Sequence, residues 1–304
     1  MFELWVPVTI GAAFLQNVRS ALQKYLKGRL STTGATFVRF GFGMPIAIAY
    51  VLILHYPIGL PWPEPNLEFV LYVVLGGLTQ ILATFLLVHL FGFRNFAVGT
   101  AYSKTEAIQA AIFGFVILAD PLSLGAGIAI VIGFAGVVLI SVAHTALTTG
   151  ALIAATFSRT AAIGLLSGAM FGISAVGYRG GSLALGGGEE SFMMQAGYTL
   201  MWATIFQTVV MLAYMRWMEP GQTTAVLKAW KPASLVGLAG VLGSVCWFTA
   251  MTIQSAAYVR SLGQVELIFT FASSYFIFKE RPNKTETVGV VLIALGIVVL
   301  LQSK

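Results

Sequence analysis

Charge is scarce in this sequence. Only 9% of its 304 residues are charged, 58% are apolar, and the mean hydropathy is +0.89. Soluble domains carry about 25% charged residues, and a soluble chain this poor in charge could not cover its own surface. Cysteine is nearly absent too: Cys246 stands alone, which excludes a disulfide framework and a CxxC metal site. His55, His89 and His144 are scattered without metal-ligand spacing. There is no HExxH, no P-loop and no nucleophile elbow. The run Gly186-Gly187-Gly188-Glu189-Glu190 has neither P-loop spacing nor a lysine, so an ATP-driven pump is not indicated. No run of like charge marks a nucleic-acid arm, and the net charge of +6 is not one basic patch. These absences argue against an enzyme, a cofactor, a metal and a nucleic-acid partner.

What is present is long apolar runs. A spanning helix needs about 20 mostly apolar residues. By that rule spans are expected at 3–24, 33–55, 68–92, 96–118, 122–143, 160–184, 191–215, 232–254, 256–278 and 285–302. No basic segment precedes the first run, so it is read as a retained helix rather than a cleaved signal. The connections are short and rich in breakers: Pro61, Pro63 and Pro65, Asp120-Pro121, Pro220-Gly221, Pro282-Asn283. The longest gap, roughly 144–159, divides the chain into 1–148 and 149–304.

Orientation follows from basic residues, which stay cytoplasmic. The odd-numbered connections hold Lys24, Lys27, Arg29, Arg94, Arg159, Arg216, Lys228, Lys231, Lys279, Arg281 and Lys284. The even-numbered ones hold Glu64, Glu68, Asp120, Glu189 and Glu190, with Arg179 near a helix end. Both termini are therefore expected outside, in a multi-pass protein of a bacterial inner membrane.

An offset of 160 residues lays the chain on itself. Glu106 falls on Glu266, Asp120 on Glu280, Gly136 on Gly296, Gly77 on Gly237 and Ala97 on Ala257. An earlier pair, 11–14 against 168–171, needs an offset of 157. Each half carries five spans, an odd number, so the copies are expected to be inverted. Inverted repeats place a substrate site near the midplane where the halves meet. The fold class expected is thus an all-α polytopic membrane protein of ten transmembrane helices in two inverted five-helix repeats.

Charged side chains inside a span are costly and usually face a cavity or a partner. Glu106 and Glu266 lie near the middle of their spans and are repeat mates, so each is a candidate proton carrier or substrate ligand. The plainer alternative pairs each with Lys104, Arg19 or Arg260 and locks the fold. Tyr102, Glu106 and Gln109 share one helical face, with Lys104 on the opposite side. Arg260 and Gln264 share another, with Tyr258 nearby. Arg19 lies with Asn17 toward the cytoplasmic end of the first span. Arg39 is close enough to that end to snorkel. Trp202 and Trp247 lie mid-span, where packing or stacking on a substrate is open. Gly164, Gly168 and Gly172 form a small-residue stripe, and Gly240 with Ser244 does similar work.

These residues resemble the drug/metabolite transporter superfamily, specifically its ten-helix EamA type. The stretches that carry the resemblance are Thr105-Glu106-Ala107 through Ala119-Asp120 and Val265-Glu266-Leu267 through Lys279-Glu280, with Gly136, Gly289 and Gly296 in the last helices. No proline follows Glu106 or Glu266, and Asp120 stands where glutamate is usual. The resemblance implies export of a small metabolite or drug, with proton antiport or facilitated exchange as routes. Import of an amino acid, vitamin or organic cation is the second reading; an intramembrane lipid-handling protein is the third. The partners expected are a small-molecule substrate, protons and lipid, in a monomer or homodimer.

Overall fold

The computed structural model describes residues 3–92, 102–142, 159–188, 191–276 and 283–303. Among them every regular element is a helix. In chain order these are α1 (Trp5–Lys27), α2 (Thr32–Gly41), α3 (Met44–His55), α4 (Leu67–Leu90), α5 (Glu106–Leu118), α6 (Leu124–Val142), α7 (Arg159–Ala184), α8 (Phe192–Met218), α9 (Gln222–Lys228), α10 (Trp230–Ile253), α11 (Ala256–Leu262), α12 (Val265–Phe276) and α13 (Lys284–Gln302). Of the repeat markers, Ala97 and Glu280 lie outside the described residues, as do Arg94, His144, Glu189, Glu190, Lys279 and Arg281.

Local chemistry sets the helix starts. Ser31 caps α2 by accepting from Gly34 N, and Asn66 caps α4 by accepting from Phe69 N at 2.8 Å. Asn283 and Glu286 form a capping box at α13. Six apolar helices are long enough to cross a bilayer: 32–55 taken as one, 67–90, 159–184, 192–218, 230–253 and 284–302. Segments 106–118 and 124–139 are shorter apolar helices. Large apolar side chains face outward along them, such as Leu71 on α4, Val116 on α5 and Val291 on α13, as lipid contact requires.

Three expected straight spans are interrupted. The second breaks at Phe42-Gly43, where Pro45 lacks an N–H and its ring excludes the carbonyl of Gly41. The fourth and ninth tighten just ahead of their glutamates. Thr105 N donates to Tyr102 O at 3.2 Å; Gln264 N donates to Ser261 O, Glu266 N to Gly263 O and Leu267 N to Gln264 O, at 3.0–3.2 Å. These are three-residue, 3₁₀-type bonds, and mid-helix 3₁₀ stretches often mark a hinge or local strain. A further short helix, α9, occupies the connection after Pro220-Gly221.

Both chain ends arrive at one end of the bundle. Trp5 packs edge-on against Tyr258, with ring centroids 6.5 Å apart. The Tyr258 hydroxyl lies 3.2 Å from Ser123 Oγ, and Ser123 donates to Ser303 O at 2.7 Å. At the opposite end Ser31 and Thr33 donate to the Glu219 carboxylate, each at 2.6 Å, among the lysines and arginines that flank α1, α8, α9 and α10.

The seam between α6 and α13 is reciprocal. A Cβ on Gly136 would meet Gly289 O and Ile293, while a Cβ on Gly296 would meet Ala129 O and Gly133. Each contact becomes the other when residues 160 apart change places.

Candidate functional site

The two glutamates expected near the midplane stand at the starts of α5 and α12, directly after the 3₁₀ turns. Each turn swings the preceding residues off the helix face that a straight span would give them. Lys104 is thereby freed to cross the bundle: its Nζ lies 2.8 Å from Glu266 Oε2. Gln16 on α1 donates to the same oxygen at 2.9 Å. In the other direction Arg260, on α11, places Nη1 3.6 Å from Glu106 Oε1. The cation of each half thus meets the carboxylate of the other. The side chains of Lys104, Glu106 and Glu266 are 12–14% exposed, and that of Arg260 4%.

Two further cations complete the cluster. A Cβ on Gly240 would lie 3.2 Å from Arg39 Cγ and 3.5 Å from Arg19 Cδ, so this glycine leaves the gap in which both arginines lie. Arg19 is within electrostatic reach of Glu266, Arg260 and Glu106, and Arg39 of Arg19 and Arg260. The Arg260 guanidinium sits 4.6 Å over the Trp247 ring. Gly263, in the 3₁₀ turn, makes room for that indole. Beside Arg39, Tyr178 donates to Gln80 Oε1 at 3.0 Å, and Gln207 donates to Gln80 Oε1 and to the Tyr178 oxygen, both at 2.9 Å.

Of the sequence candidates, Lys104, Glu106, Glu266, Arg260, Arg19 and Trp247 come together. Asn17 is half-buried on α1 beside Gln16. The others are redirected. Gln109 turns to α7, donating to Thr105 Oγ1 at 2.9 Å and to Leu165 O at 3.5 Å. Its expected shared face with Tyr102 and Glu106 fails because the turn at 104–105 comes between; Tyr102 closes that turn through its carbonyl. Gln264 packs its amide oxygen against Gly133 of α6 instead of following Arg260, since the 3₁₀ turn separates them. Tyr258 belongs to the end-of-bundle contact with Trp5 and Ser123. Trp202 is 42% exposed on the outer face of α8, against Tyr198.

Sequence reasoning gave no site role to Arg39, Gln16, Tyr178, Gln80, Gln207 or Arg179. Arg39 does not snorkel: it is 5% exposed and donates to Thr84 at 3.1 Å. Arg179 joins Asp120 through Nε, 2.9 Å from Oδ2, and caps the end of α10 by donating to Met251 O at 2.8 Å and Gln254 O at 2.9 Å. Ala119, in the left-handed region at φ 53°, turns the chain so that Asp120 can reach it. A cleft of about 610 Å³ opens beside this lock, lined in part by Arg179, Gln195 and Thr252.

A membrane-spanning helical bundle with ion pairs crossing its centre has the build of a membrane transporter. The sequence profile of the EamA-like transporter family matches residues 3–142 and again 158–302; the chain belongs to that family, within the drug/metabolite transporter superfamily. No curated protein matches the sequence. A protein of known crystal structure is similar across 100% of this chain and 98% of its own, with TM-score 0.69 and 13% identity. At that identity the likeness speaks for the fold alone.

Proposed function

We propose that this transporter is a ten-pass secondary carrier, built of inverted repeats 1–148 and 149–304, that moves a small organic metabolite by alternating access around the crossed ion pairs. The observation that carries the reading is the exchange of partners between halves, Lys104 with Glu266 and Arg260 with Glu106, at two 3₁₀ hinges. Rocking one half on the other must stretch both pairs. A carboxylate stripped of its cation in a low-dielectric core is costly, so substrate or a proton has to replace it before the halves separate. That requirement couples movement to occupancy. The reciprocal Gly136–Gly296 seam supports the repeat, and interrupted helices at the midplane are the usual site of binding in inverted-repeat carriers.

The basic loops put that end in the cytoplasm and both termini outside, in the plasma membrane of a bacterium. Export is the direction that the family resemblance favours, with Glu106 and Glu266 exchanging protons for their cations. The test is counterflow in proteoliposomes with labelled succinate, glycerol 3-phosphate, an amino acid and a quaternary amine. The wild type moves at least one of these; Glu106→Gln and Glu266→Gln lose most of the flux and change its pH dependence. Full flux and an unaltered pH profile in the double variant would sink the role of the glutamates.

A further inference from the structure

Three guanidiniums lie within electrostatic reach of one another inside the bundle with few hydrogen-bond acceptors to hold. Arg19, Arg39 and Arg260 are 3%, 5% and 5% exposed. Each carries five N–H donors in a planar fork. Among the described residues the three make one hydrogen bond, from Arg39 Nη1 to Thr84. The Nε atoms of Arg19 and Arg260 are buried without a partner, and Trp247, which carries Arg260, has an indole N–H equally without an acceptor. Arg179 shows what a satisfied guanidinium looks like in the same molecule: both Asp120 oxygens and the carbonyls of Met251, Thr252 and Gln254 accept from it.

Charge points the same way. Arg19, Arg39, Lys104 and Arg260 share this interior with Glu106 and Glu266. Lys104 takes Glu266 and Arg260 faces Glu106. Arg19 and Arg39, side by side over Gly240, make no ion pair among the described residues; Glu266, whose charge reaches Arg19, already holds Lys104. A bilayer-spanning core does not hold two uncompensated cations without an anion to meet them. A cationic substrate would raise the cost; a neutral one would leave it standing. Guanidinium forks fit carboxylate and phosphate oxygens bidentately.

We propose that the site binds a small organic dianion, a dicarboxylate or a phosphate monoester, held by Arg19, Arg39 and Arg260. This names the substrate class of the transport site and rests on the transporter reading for the movement that binding sets off. Binding itself is read by thermal shift of the purified protein at constant ionic strength. The probes are succinate, glycerol 3-phosphate, succinamide as the neutral isostere, and tetraethylammonium. The dianions raise the melting temperature, the other two do not, and the comparison of succinate with glycerol 3-phosphate says which anionic group the forks prefer. Arg19→Gln and Arg39→Gln weaken dianion binding about tenfold to a hundredfold. If either fails to fold, Arg19→Lys and Arg39→Lys keep the charge and lose the fork. Arg179→Gln melts lower but keeps the dianion shift. The proposal is overturned if no dianion stabilises the protein, if succinamide or tetraethylammonium does so equally, or if the arginine variants bind as the wild type does. The proteoliposome assay separates the two readings. Dianion binding without flux of any compound removes the transport reading and leaves this one. Flux of an amine without dianion binding does the reverse.

Discussion

Lys104 Nζ lies 2.8 Å from Glu266 Oε2, and the two residues come from different halves of the chain. The contact is an ion pair between the sites where spans four and nine are interrupted, so it ties the two 3₁₀ turns to each other. Removing one partner of a nearly buried pair is more damaging than removing both. Lys104→Glu or Glu266→Lys alone should therefore abolish flux and lower the melting temperature, by the equivalent of about 3 kcal/mol. The exchanged double variant should recover most of the melting temperature. Melting curves of the four proteins check this; a double variant no better than the worse single one would show that the pair is incidental.

Arg179 should behave as a structural fastener. Its guanidinium ties Asp120 to the carbonyl end of α10. Arg179→Gln should lower stability by about 3 kcal/mol or more, and adding Asp120→Asn should cost little further. Additive losses in the double-mutant cycle would mean that the two residues do not act through each other.

The glycine seams give a graded test. Alanine at Gly136 places Cβ 2.5 Å from Gly289 O and 2.9 Å from Ile293 N, and alanine at Gly296 places it 2.9 Å from Ala129 O and from Gly133 N. Backbone cannot swing aside, so each substitution should cost about 1–3 kcal/mol. Gly127, also on α6, has nothing within 4 Å of a Cβ. Gly127→Ala should be neutral or stabilising by up to about 1 kcal/mol through helix propensity. Equal melting temperatures for all three would contradict the packing described.

The two mid-span tryptophans should separate cleanly. Trp247→Ala removes the ring beneath Arg260 and should cut flux strongly. Trp202→Ala, on an exposed position, should leave flux within about twofold, as surface substitutions usually do. Equal losses in counterflow would place Trp202 in the site after all.

Six of the expected spans were legible because a bilayer demands about 20 apolar residues each, and the polar repeat markers located the glutamates. What escaped was local direction. Neither turn carries a proline, so nothing in the sequence ahead of Glu106 announces a turn, and straight-helix geometry misplaced Gln109 and Gln264. Arg39 was misjudged for a different reason. Its distance along the chain from Thr32 suits snorkelling, but its burial depends on Gly240 of a distant helix, which no local pattern reveals. Gln80 and Gln207 were apolar-run outliers of the same kind, each a lone amide in mid-span.

The central claim is that this cluster is reached from both sides of the membrane in turn. Cysteine labelling tests it without knowledge of the substrate. In a Cys246→Ser background, Gln16→Cys puts a thiol beside Glu266, where Gln16 now donates its hydrogen bond. Right-side-out and inverted vesicles are treated with a membrane-impermeant methanethiosulfonate, with Lys27→Cys as the marker of the basic face. Alternating access predicts labelling of the position-16 thiol in both preparations, while the position-27 thiol reacts in one only. Labelling from a single face, or from neither, would contradict the account.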